Sequence, residues 1–123
     1  MPNFHIFLGI PEMDDYYNNL ILECKKSNPH KNKIKELKKF EKVLKLISLN
    51  PKYPSLNTHE IDELTKRYGI KVFESYLENK TPAAGRIFWV YGPKKQSITI
   101  IGLEPHPNDK ANSYKKIVLS SMK

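Results

Sequence analysis

Two residues of this 123-residue chain have types and settings that suggest chemistry, Arg86 and His106. Arg86 opens the run Arg86-Ile-Phe-Trp-Val-Tyr-Gly92, and His106 stands near the end of Ser97-Ile-Thr-Ile-Ile-Gly-Leu-Glu-Pro-His-Pro107. A guanidinium can hold two phosphate oxygens with its forked donors. An imidazole titrates near neutrality and can give or take a proton. An arginine opening one strand and a histidine closing its neighbour suggest phosphate chemistry.

The elements that would position this pair are two strands. Both runs are rich in aromatic and β-branched residues, and Gly92-Pro-Lys-Lys-Gln96 supplies the turn between them. A period of two puts Arg86, Phe88 and Val90 on one face and Trp89 and Tyr91 on the other. If the second run stays extended through Pro105, then Ile98, Ile100, Gly102, Glu104 and His106 share a face. Upstream, Phe4 to Leu8 reads as a short strand closed by Gly9 and Pro11. A first helix follows, with Glu12, Asp14 and Asp15 at its start, Lys25 and Lys26 at its end, and the stripe Met13, Tyr16, Tyr17, Leu20, Ile21, Cys24. Ser27 to His30 breaks it. A second helix is expected over 31–49, with Ile34, Leu37, Phe40, Val43, Leu44 and Ile47 on one side and lysines elsewhere. Asn50-Pro51 ends it. Tyr53 to Leu56 reads as loop, and Asn57 to Ile61 as the cap of a short helix or the entry to a strand. After a turn at Gly69, 71–78 reads as a strand and 79–85 as a second turn. The tail ending in Tyr114 to Leu119 reads as a last strand or short helix. The expected fold is α+β in one domain over 1–123: an N-terminal strand and a helical hairpin packed on a small antiparallel β-meander.

Charge narrows the partners. Twenty-one Lys and Arg oppose thirteen Asp and Glu, a formal charge of +8, which favours polyanions. From Lys25 to Lys45 nine lysines face two acids, Glu36 and Glu41, a net of +7. Lys35, Lys38, Lys39 and Lys42 stand at the centre of that run, a basic helix face open to RNA or another acidic partner. The single cysteine, Cys24, rules out an internal disulfide framework and a cysteine-based zinc site, and reads as a packed thiol. His5, His30 and His59 have no metal-ligand spacing, so neither metal nor cofactor is proposed. No run approaches the ~20 apolar residues of a membrane span. The N-terminus lacks the basic region and cleavage site of a signal peptide, so a cytoplasmic protein is expected and the sequon at Asn79 is incidental.

The order strand, helical hairpin, antiparallel meander resembles the RelE/ParE superfamily, small basic toxins of bacterial type II toxin–antitoxin systems. Asn50-Pro51 and the stretch from Leu56 to His106 carry the likeness. Gly85-Arg-Ile-Phe-Trp-Val-Tyr91 is similar to the family's arginine-led central strand, and Ile98 to His106 to the following strand that ends in histidine. The resemblance implies an endoribonuclease that cuts messenger RNA on the ribosome, without metal, by 2′-hydroxyl attack on the adjacent phosphate. It implies that Arg86 neutralises the phosphate and that His106 transfers a proton. Glu74 or Glu104 would be the other acid–base group, and Tyr114 would take the part of the family's C-terminal tyrosine. Many members carry that tyrosine beside the histidine; here Pro107 follows and Tyr114 is eight residues on. Lys66, Arg67 and Lys71 are candidates for the lysine pair that some nuclease members carry before the arginine strand. The resemblance also implies an acidic, partly disordered antitoxin that covers the basic groove. A second class stays open: a non-catalytic binder, either gyrase-directed or holding only an acidic partner, for which the α-helical lysines would matter most.

Overall fold

The structure, a computed structural model, describes residues 3–76 and 85–105, without the side chains of Glu104 and Pro105. Of the turn expected over 79–85 only Gly85 is described, and it opens a strand instead; the rest of that turn, the sequon, His106, Tyr114 and the tail lie outside the described residues. The first strand, β1, is His5–Leu8. The first helix, α1, spans Glu12–Cys24 with three acids in its first turn, where they complement the helix dipole. The second helix, α2, is Lys31–Leu49, and the His30 side chain caps it by accepting from the Asn32 amide.

The middle of the chain holds more structure than its sequence suggests. Pro54–Leu56 is a single 3-10 turn rather than loop. Strand β2 is His59–Glu60, and a short helix, α3, runs Asp62–Tyr68 with Ile61 at its N-cap, so the segment 57–61 both enters a strand and leads into a helix. Gly69 ends α3 with a φ of +72°, a conformation that suits glycine. Strands β3 (Phe73–Tyr76), β4 (Gly85–Tyr91) and β5 (Ser97–Pro105) form the expected antiparallel meander. Gly92, with φ of 101°, opens the turn between β4 and β5. Its amide donates to the Ser97 carbonyl, and the Ser97 hydroxyl donates to the Lys94 carbonyl.

The sheet is five-stranded in the order β1-β5-β4-β3-β2. β1 joins it by pairing parallel to β5, with His5 opposite Ser97 and Leu8 opposite Ile100. A register shift between Phe88 and Trp89 lets Phe88 face Gly102 while Trp89 faces Ile100. Ile101 is the extra residue of this bulge, so alternation along β5 changes phase there. Ile98 and Ile100 therefore join the core beneath the helices, whereas Gly102 faces Phe88 on the other side. The single shared face expected along β5 is corrected by that one residue.

Both faces of the sheet are covered. On one, Ile87, Trp89, Ile98 and Ile100 pack with Met13 of α1 and Phe40, Val43 and Ile47 of α2. On the other, Phe88, Val90 and Ile101 pack with Ile61, Val72 and Leu64 of α3. β4 contributes to both, which explains its nearly unbroken apolar run. Phe88 is completely buried and belongs to this second core rather than to a base-stacking surface.

Candidate functional site

Period-two geometry collects polar groups on the α3 side of the sheet. His59 lies opposite Glu74, and Tyr76 opposite Arg86, in the registers of β2 with β3 and β3 with β4. Glu74 is completely buried, and Arg86 is 3% exposed. Arg86 Nη1 donates to Glu74 Oε2 at 3.0 Å. His59 Nε2 lies 3.0 Å from the other carboxylate oxygen, Oε1. Tyr76 also bonds Glu74, and its hydroxyl pKa is held above the ordinary value by burial first, then by the charge and hydrogen bond of Glu74, against an opposing pull from Arg86. The Arg86 guanidinium rests 5.3 Å from the centroid of the Phe88 ring.

The structure thus brings together two of the sequence-derived residues, Arg86 and Glu74, and adds two that the sequence reading passed over, His59 and Tyr76. Tyr76 carried the β-period signal of its strand. His59 carried none, because it stands fifteen residues before Glu74 and meets it only through the β2–β3 pairing. Its Nδ1 lies 3.0 Å from the Asn57 carbonyl, so each ring nitrogen faces an oxygen. Arg86 spends its charge on Glu74 inside the sheet. The half of the cluster open to solvent is His59, whose side chain is 45% exposed, and partly Tyr76. Glu104 pairs with Arg86 in backbone register. His106 and Tyr114 lie outside the described residues. No group of three metal-ligating side chains comes together among the described residues.

The seven basic candidates fall into two separate places. Lys35, Lys38, Lys39 and Lys42 are all exposed on α2, away from Phe40, Val43 and Ile47. Lys31, Lys35, Lys38, Lys42 and Lys45 follow at intervals of three or four, one stripe roughly 21 Å long at the helical rise. The helix's two acids flank the seam with α1: Tyr16 donates to Glu36, and Tyr17 to Glu41 at 2.9 Å. Lys33 lies 3.8 Å from Glu36. Lys66, Arg67 and Lys71 are exposed around the end of α3, with Arg67 bonded to Glu63 at 3.0 Å. Since α2 and α3 cover opposite faces of the sheet, these are two basic surfaces and not one.

Comparison with known protein families, curated proteins and solved structures finds no match.

Proposed function

We propose that this chain is a RelE-like toxin component that engages ribosome-bound messenger RNA and cleaves it without metal. The observation that supports this reading most is the α2 stripe, five exposed lysines whose neighbouring acids are engaged by the tyrosines of α1. A structural helix face does not need so one-sided a charge, and a polyanion rewards it by counterion release. In this reading His106 and Tyr114 act at the phosphate, an acidic antitoxin covers the basic surface, and the protein works in the cytoplasm, where ribosomes are. No helix among the described residues is long and apolar enough to cross a membrane.

Primer extension on messenger RNA, with and without ribosomes, tests it. Wild type gives ribosome-dependent cuts, and joint reversal of Lys35, Lys38, Lys39 and Lys42 to Glu removes them, as does His106→Ala. A message left intact at every codon overturns the nuclease reading. One observation favours the second class, a protein that binds without cutting: the Arg86 charge is buried and matched by Glu74 at 3.0 Å. In that case lysine reversal still abolishes binding while His106→Ala changes nothing.

A further inference from the structure

The end of α3 carries a feature that charge alone does not explain. Tyr68, the last residue of the helix, is 40% exposed, and Ile70 two residues on is 37% exposed. The Arg67 guanidinium sits 5.9 Å from the centroid of the Tyr68 ring. Exposed Lys66 and Lys71 bracket that ring in sequence. Gly69 between them has nothing within 4 Å of where a Cβ would stand, so the approach over this corner is open. Lys66 and Arg67 would by themselves be accounted for as cations at the negative end of a helix. Lys71 lies beyond the helix and gains little from that dipole. The exposed ring gains nothing from it.

We propose that Tyr68, with Lys66, Arg67 and Lys71, forms a second nucleic-acid site that takes single-stranded RNA, stacking one unpaired base on the Tyr68 ring while the cations hold the flanking phosphates. The inference rests on the RNA-directed reading above and divides its surface in two. The α2 stripe is a continuous row of charge without an exposed aromatic, suited to the backbone of structured RNA. The α3 corner combines a π-face with cations, the pairing that binds unstacked bases irrespective of sequence. The two sites lie on opposite faces of the sheet, so one protein bridges two RNA segments. Asp62 and Glu63 sit at the other end of α3, Glu63 already bonded to Arg67, and leave the corner net positive.

Fluorescence anisotropy with a short labelled single-stranded RNA and a duplex of equal length tests this on the intact protein. Tyr68→Ala weakens single-strand binding roughly five- to hundredfold and leaves duplex binding unchanged, whereas Tyr68→Phe keeps both. Lys66→Glu with Lys71→Glu lowers the salt slope for the single strand by about 1.4 or more. Reversal of the α2 lysines weakens duplex binding more than single-strand binding. The proposal is overturned if Tyr68→Ala binds single strands as wild type does, if wild type binds no single strand, or if α2 reversal removes both activities equally. Because the readout is binding by isolated protein, absence of message cleavage sinks the nuclease reading without touching this one.

Discussion

At the scale of single residues, the decisive fact is that Glu74 is fully buried and holds a nearly buried arginine. Desolvating both charges costs several kcal/mol, which their pairing and the added bonds from His59 and Tyr76 must offset. Removing one partner leaves the other charge stranded. Glu74→Gln is therefore expected to lower unfolding stability by about 3–5 kcal/mol, read from urea titration. The double change Glu74→Leu with Arg86→Met should lose much less than Glu74→Gln, because no unpaired charge remains. Equal losses would show that the pair contributes through shape rather than charge. His59→Ala should cost far less, since half of that ring already meets water. The pairing of Arg86 with an acid on the neighbouring strand was open to reading from alternation alone. The third member was not, since no local spacing ties His59 to a residue fifteen positions away.

At the scale of elements, the two helices are joined to each other by directional hydrogen bonds as well as by packing. Tyr16 is pushed well above the usual tyrosine pKa by burial first and then by its bond to Glu36, and Tyr17 is raised by burial and then by its bond to Glu41. A pKa raised in the folded state means that the folded chain holds protons the unfolded chain has released. The stability contributed is complete below about pH 10, the ordinary tyrosine value, and is lost as pH climbs above it. Stability should thus fall on the alkaline side, and Tyr16→Phe should flatten that fall, as followed by circular dichroism against pH. A second chain of bonds fixes the segment after α2. Trp89 Nε1 donates to Ser75 Oγ at 2.9 Å, and Thr58 Oγ1 donates to the Pro51 carbonyl at 2.7 Å. The Ser75–Thr58 bond between them, 2.6 Å, must then run from Ser75 to Thr58. Ser75→Ala is expected to cost about 1–3 kcal/mol by leaving the buried indole N–H unsatisfied, whereas Ser75→Thr should keep most of it. Long helices and the β4–β5 hairpin were legible because periodicity, caps and turn residues agreed. The helix α3 was not legible beyond the alternative of a short helix after 57–61, because seven residues with Leu64 as their one buried side chain give too little period to fix it. Nor was the bulge at Ile101, which no residue type announces.

At the scale of the whole molecule, the sheet is a shared floor for two cores, and β4 is the strand both need. Leu64→Ala should cost about 2–5 kcal/mol although α3 is short, because it opens the second core onto Phe88 and Val90. Amide hydrogen exchange is the check: β4 should lose protection together with α3, and β4 keeping its protection while α3 opens would show the two cores to be independent. The parallel seat of β1 beside β5 could not be read from composition or period, since either edge of a meander satisfies a short apolar strand equally well. That seat has a consequence for how the protein is made. β1, α1 and α2 leave the ribosome first, but the strand that receives β1 and floors the helices, Ser97–Pro105, begins 48 residues after α2 ends. Until it emerges, the apolar sides of both helices have no lasting partner, and the long loop to be closed makes folding slow. A translation product stopped in the turn after Tyr91 would lack its central pairing and be exposed to proteolysis, so the chain reaches its native form only when synthesis has passed β5.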